Sequence, residues 1–246
     1  MKLASIDNKT RDGQLVVVNK ELTKVVRVTE IAETMQSAID NWKDTESKLQ
    51  SVYEDLNSNK SSNTLEFSSV RVLAPIPRAY HWADGSAYVT HVELVRKARN
   101  AELPESFWSD PLMYMGASDA FIGACDDIEI ENEDWGIDFE SEVAVITDDV
   151  PAGINSKDAL NHIKLITIIN DVSLRGLIPA ELKNGFGFMQ SKPSSAFGPF
   201  AVTPDELGDA WAEGRVELPL HVELNGEFFG KANGKEMFFG FGKLIE

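Results

Sequence analysis

Two periods of apolar and polar positions run along the first 57 residues. Lys2–Ile6 and Gln14–Val18 are short β-prone runs separated by Arg11-Asp12-Gly13, a turn signal in which glycine is available for a positive φ. Leu22–Val28 is expected to supply a third strand. The period then changes. Thr29 is the expected N-cap of a helix whose stripe is Ile31, Met35, Ala38, Ile39, Trp42, Leu49, Val52, Tyr53 and Leu56, interrupted near Asp44. The polar stretch Asn57–Thr64 has no periodicity and reads as a linker. This divides the chain into a small β-plus-helix module over residues 1–64 and a larger domain over residues 65–246.

The larger part alternates strand-like and helix-like patterns. Val70–Leu73 is a short strand stopped by Pro75 and Pro77. Ile137–Ile146 alternates and then turns wholly apolar, as a half-buried strand entering a core does. Ser156 is expected to cap a helix through about Leu165, followed by a buried run, Ile166–Ile169, that ends at Asn170-Asp171. Phe197–Val202 and Leu218–Leu224 read as further strands, and Asn225-Gly226 ahead of Phe228-Phe229 is the strongest hairpin signal in the chain. The pattern predicts a mixed fold of the α+β kind with a β-rich core.

Composition narrows the partners. With 43% hydrophobic and 26% charged residues over 246 positions, the chain is globular rather than disordered or fibrous. A formal charge of −17 repels phosphate backbones and anionic lipid, so neither a nucleic acid nor a membrane surface is an expected partner, whereas cations are. The lone Cys125 cannot form an intrachain disulfide, which fits a reducing cytosol. No apolar stretch reaches the ~18 residues of a membrane helix, and the first residues lack the apolar run of a signal peptide. The expected location is cytoplasmic.

Four segments carry candidate chemistry. In Asp138-Phe139-Glu140-Ser141-Glu142, strand alternation would project three carboxylates to one side at about 7 Å intervals, a repulsive row that a cation would relieve. An acidic edge strand that blocks edge-to-edge pairing is the alternative. Asp171 follows the buried run Leu165–Ile169, and Arg175 lies four residues on, at the spacing of a simple surface ion pair. Lys192 stands among apolar and small residues, either reaching out to water or meeting a buried anion. Asp84 sits beside a glycine in an expected loop, with His91 seven residues later. Zinc-type Cys/His spacing, a phosphate-binding glycine loop and a serine nucleophile elbow are all absent from the sequence.

In chain order, these segments resemble the fumarylacetoacetate hydrolase family. The matching pieces are Ala74-Pro75 with Trp82-Ala83-Asp84 and His91, then Asp138-Phe-Glu140-Ser-Glu142-Val-Ala144, Asn170-Asp171-Val-Ser-Leu-Arg175, and Gln190-Ser-Lys192 with Phe197-Gly198-Pro199. The resemblance runs from about residue 65 to the end, and the leading module looks like that of bacterial two-domain members. It implies a divalent cation, Mg²⁺, Ca²⁺ or Mn²⁺, held by Asp84, Glu140, Glu142 and Asp171. Asp138 lies outside the family pair. The implied reaction is hydrolysis of a carbon–carbon bond in a 1,3-diketo acid such as an acylpyruvate or fumarylacetoacetate. His91 would act as general base, Lys192 would stabilise negative charge on the departing enolate, and Arg175 would orient substrate or ligands; Gln190 has no assigned role. The family histidine commonly works with an orienting glutamate. Glu93 is two residues from His91, on a different side in a helix and the same side in a strand. The chain ends at Phe241–Glu246, before a Gly/Thr-rich motif of the relatives, so the catalytic domain is expected to be incomplete at its C-terminus. Relatives imply a homodimer. Isomerisation or decarboxylation at the same site, and a silent metal-binding protein, are the competing readings.

Overall fold

The β-branched runs of the first thirty residues pair into an antiparallel meander: β1 (Lys2–Ile6), β2 (Gln14–Val18) and β3 (Lys24–Arg27). The computed structural model describes residues 1–98 and 105–246. The helical stripe follows later than its apolar spacing suggests. Thr34, not Thr29, is the N-cap; its hydroxyl accepts from Ser37 N–H and the Ser37 hydroxyl answers the cap N–H, so Ile31 stays outside the helix. Helix α1 (Met35–Asp40) breaks at Asn41, and α2 (Trp42–Asn57) then buries Trp42, Thr45, Leu49, Tyr53 and Leu56 on one face. That stripe covers one face of the meander, meeting Leu3, Leu15 and Val17, while Ala4, Ile6, Val16, Val18 and Val25 point into a second core on the other face. A two-residue strand, β4 (Leu65–Glu66), closes this end against β3.

The remaining elements are β5 (Ala83–Ser86), α3 (Val89–Ala98), β6 (Leu112–Met115), β7 (Ile137–Asp138), β8 (Ser141–Thr147), α4 (Ser156–Ala159), β9 (Ile163–Asn170), β10 (Ser173–Leu174), α5 (Ile178–Asn184), β11 (Ala196–Phe197), β12 (Ala201–Val202), β13 (Trp211–Ala212), β14 (Arg215–Val216), β15 (Pro219–Leu224), β16 (Glu227–Asn233) and α6 (Phe241–Ile245). The main sheet is antiparallel and has eight strands. β9 pairs β8 on one side and β11 and β12 on the other, and β12 pairs β1, so the sheet continues through β2, β3 and β4. The architecture is α+β.

Several sequence expectations shift. Val70–Leu73 is held by an isolated bridge, Val72 to Ile6, rather than a full strand. Asn155, not Ser156, caps α4, accepting from Lys157 and Asp158 N–H; the helix ends at Ala159 and β9 begins at Ile163, two residues before Leu165. Ile137–Ile146 is two strands. Asp138 faces Ser173 of β10, whereas Ser141 faces Asn170 of β9, so the chain changes pairing partner across Phe139-Glu140. Asp138, Glu140 and Glu142 therefore do not share one regular strand face. Phe197–Val202 likewise divides into β11 and β12 around Gly198-Pro199-Phe200. The Asn225-Gly226 hairpin joins β15 to β16 as a two-residue loop with both residues at positive φ, 55° and 80°.

Candidate metal centre

Three elements deliver carboxylates to one place. β5 presents Asp84, β8 presents Glu142, and Asp171 follows the last residue of β9, its N–H donating to the Glu140 carbonyl at 2.9 Å. One carboxylate oxygen from each of Asp84, Glu142 and Asp171 lies within 4.8 Å of the others. Asp171 is 1% exposed. Its Oδ1 accepts from Ser195 Oγ at 3.0 Å, and its Oδ2 from Lys192 Nζ at 2.6 Å and from the Tyr114 hydroxyl at 2.5 Å. Tyr114 reaches it because β6 pairs β5 with Tyr114 directly opposite Asp84.

Glu140 stands apart from that trio. Its carboxylate is taken by Lys192 Nζ, at 2.6 Å, and by the Arg175 guanidinium, which also donates through Nε to Asp138 at 2.9 Å. The four-residue spacing of Asp171 and Arg175 does not make them partners. Arg175 reaches Asp138 and Glu140 instead, because β10 returns the chain antiparallel to β7.

These environments push titrating groups apart. Burial raises the Asp84 carboxyl, the charge of Asp171 adds to it, and the group is pushed up to about 6. Glu142, hydrogen-bonded to Asp84, is raised well above the ordinary range, first by burial and then by the charges of Asp84 and Asp171. Burial also acts on Glu140, but Lys192 and Arg175 outweigh it and hold that carboxyl below its ordinary value. Lys192 is raised: burial opposes its charge, and Asp171 and Glu140 more than compensate.

The trio fits a hard divalent cation. It offers oxygen donors only, from three carboxylates gathered within 4.8 Å of one another. Lys192 and Arg175 meet Asp171, Glu140 and Asp138, while Asp84 and Glu142 face no cationic side chain at hydrogen-bond distance among the described residues. A cavity of about 1260 Å³ opens on the group, lined by Asp84, Glu140, Glu142, Arg175 and Lys192 together with His91. His91 is on the exposed face of the first turn of α3. The helix turns Glu93, two residues on, away from it. Gln190 is exposed and contributes its backbone N–H, not its side chain, to the local hydrogen bonding. Sequence reasoning missed Tyr114 and Ser195, which bond Asp171; Tyr114 stands in no charged context, and Ser195 lies between Lys192 and Phe197 without being singled out.

Three carboxylates that could hold a cation thus lie together, and Lys192 bridges one of them, Asp171, to Glu140. The comparisons give the family. Residues 1–78 match the model of fumarylacetoacetase N-terminal domain 2, and residues 80–246 match that of the fumarylacetoacetate hydrolase C-terminal domain. The chain belongs to the fumarylacetoacetate hydrolase family.

Among curated relatives, a mitochondrial oxaloacetate tautomerase of Xenopus laevis is 28% identical over 81% of this chain and 59% of its own length. A 2,4-didehydro-3-deoxy-L-rhamnonate hydrolase of Sphingomonas sp. strain SKA58 is 28% identical over 56% of this chain and 46% of its own. This chain thus spans about half the length of the curated relatives it matches. Two solved structures share the fold. Maleylpyruvate hydrolase from Sphingobium sp. SYK-6, in complex with manganese(II) and pyruvate, has a TM-score of 0.72 at 16% identity, covering 100% of this chain and 81% of that one. Fumarylacetoacetate hydrolase from Exiguobacterium antarcticum has a TM-score of 0.69 at 19% identity, covering 100% and 79%. Family members thus include hydrolases and tautomerases. No helix among the described residues is long and apolar enough to cross a membrane.

Proposed function

We propose that this chain is a divalent-cation-dependent hydrolase that cleaves a carbon–carbon bond in a 1,3-diketo acid of the acylpyruvate or fumarylacetoacetate type. The observation that supports it is the Asp84–Glu142–Asp171 group, two of whose members, Asp84 and Glu142, line one cavity with Lys192, Arg175 and His91. Asp84, Glu142 and Asp171 would hold the cation, with Glu140 joining them where Lys192 and Arg175 release it. A Mg²⁺, Mn²⁺ or Ca²⁺ ion held there would supply Lewis-acid polarisation of the carbonyl under attack.

The chain's own residues do the rest. His91 takes a proton from water, whose oxygen bonds to the carbonyl carbon. The carbon–carbon bond then breaks, its electron pair passing to the enolate of the departing keto acid. Lys192 faces that developing charge, and the proton held on His91 returns to the enolate carbon. Arg175, tied to Asp138 and Glu140, keeps Glu140 oriented.

A tautomerase reading is favoured by the names of several curated relatives, and it uses the same residues without breaking a carbon–carbon bond. Measuring pyruvate released from an acylpyruvate with Mg²⁺ and with chelator separates the two, because loss of enol absorbance accompanies both reactions and only hydrolysis releases pyruvate. Asp171→Ala is expected to abolish both cation binding and turnover; retained turnover in that variant overturns the reading. The small diketo acid is the one partner this reading requires, and a homodimer is proposed with it, to be read by sedimentation.

A further inference from the structure

One side chain ties together the segment that carries Lys192. After Arg175 the chain runs through α5 and a loop before reaching Lys192, and Glu181 of α5 folds back onto the end of that loop. Its Oε1 accepts from Gln190 N–H at 2.6 Å; its Oε2 accepts from Met189 N–H at 3.1 Å, Ser191 N–H at 3.1 Å and the Ser191 hydroxyl at 2.5 Å. Three consecutive backbone donors and a hydroxyl thus converge on one carboxylate. Ser191 is fully buried, and its carbonyl accepts from Leu174 N–H at 2.8 Å. The residue before Lys192 is therefore gripped from two sides, by α5 and by β10.

The loop itself supplies little hold. Phe186 is 97% and Met189 82% exposed. Gly185 and Gly187 sit at φ +79° and +95°, and a Cβ at either would meet nothing within 4 Å. A flexible four-carbon lysine on such a loop would sample many positions, yet Lys192 Nζ lies 2.6 Å from both Glu140 and Asp171. Among the described residues Glu181 has no cationic partner; the groups that bond it are hydrogen-bond donors of the loop. Burial acts to raise its carboxyl, but the Ser191 hydroxyl and the N–H groups of Gln190, Met189 and Ser191 outweigh that and hold it at about 2.

We propose that Glu181 is a positioning residue: its carboxylate clamps the 189–191 backbone and so fixes Lys192 between Glu140 and Asp171. This rests on the proposed function only in giving Lys192 a part in the reaction. The clamp itself can be read without turnover.

The test compares Lys192 with exposed Lys183 in the full chain under limiting acetic anhydride, with acetylation read by mass spectrometry. Glu181→Gln keeps the size of the side chain but turns two donors toward the loop N–H groups. It is expected to raise Lys192 acetylation, relative to Lys183, about tenfold or more over the unsubstituted protein. Ser191→Ala removes one donor and is expected to raise it by a smaller factor. With an acylpyruvate substrate, Glu181→Gln should lower kcat and leave KM nearly unchanged, the pattern of a group needed in the transition state. Unchanged Lys192 protection in Glu181→Gln overturns the proposal, even if thermal stability falls, since that would make Glu181 a structural tie alone. If that variant does not fold, Ser191→Ala decides, and unchanged protection there overturns it equally. An unsubstituted protein without turnover would instead count against the proposed reaction and leave the acetylation result standing.

Discussion

Two glutamates two positions apart show how strongly local surroundings decide chemistry in this protein. Burial acts on both, but Glu140 meets two cations and is held below its ordinary value, whereas Glu142 is raised, first by that burial and then by two carboxylates. Asp84, pushed up to about 6, shares that acidic environment. A cation arriving at Asp84, Glu142 and Asp171 must displace the proton of any member that still carries one. Mn²⁺ affinity, read by electron paramagnetic resonance at pH 5 to 8, is therefore expected to weaken below pH 6, by about tenfold for each proton displaced per pH unit. The same shift sets the sign for stability. A carboxyl raised from 3.8 to about 6 contributes stability that is present below 3.8 and lost as pH rises through about 6. The metal-free protein should thus lose thermal stability at this site as pH rises from about 4 through about 6, and Mn²⁺ at pH 7 should restore it. Affinity that stays flat from pH 5 to 8 would exclude the trio as the ligands.

At the scale of elements, what the sequence makes legible is what local pattern controls. β1, β2, the α2 stripe and the Asn225-Gly226 hairpin lie where period and turn chemistry put them. The strand across 137–146 breaks for a reason no local pattern carries: its neighbour, β9, ends at Asn170, and a separate short strand takes over. The acidic residues Asp84, Glu142 and Asp171, with Lys192, are visible as motif pieces. Tyr114 is not, because its place opposite Asp84 depends on β5 finding β6 across residues 87–111. Glu181 is hidden for another reason, since its partners are mostly backbone N–H groups. The hairpin supplies a clean test of turn chemistry. Gly226 has φ +80° and open space where a Cβ would stand, so Gly226→Ala carries a backbone penalty alone, about 1 kcal/mol. Leu224 and Phe228, exposed by 48% and 70%, tie the hairpin weakly to the body. Hydrogen exchange should therefore show faster amides in β15 and β16 while the melting temperature of the whole protein barely moves. A large fall in melting temperature would show the hairpin to be part of the cooperative core.

The whole molecule is held as a unit by a sheet that passes from the leading module into the larger part, β1 against β12, and by a polar joint at the same seam. Glu206 is the centre of that joint. It accepts from Lys2 Nζ at 2.8 Å and lies 3.1 Å from the Met1 ammonium, with its side chain 14% exposed. Burial alone would raise this carboxyl, but Lys2 and the Met1 ammonium outweigh it and bring it to about 2. A carboxyl lowered from 4.5 contributes stability that is present above that pH and lost as pH falls through about 2. Glu206→Gln keeps the shape and removes the charge, so it should cost about 1–3 kcal/mol at pH 7, the range for hydrogen bonds to a charged group. Urea unfolding of variant and unsubstituted protein at pH 7, 4 and 2.5 reads the gap. It should narrow as the acid side is approached, because the unsubstituted Glu206 is then being neutralised too. A gap that holds its size at pH 2.5 would mean that the seam depends on the shape of Glu206 and not on its charge. The contact of Met1 and Lys2 with the 204–210 segment would then be a packing joint that any isosteric side chain could maintain.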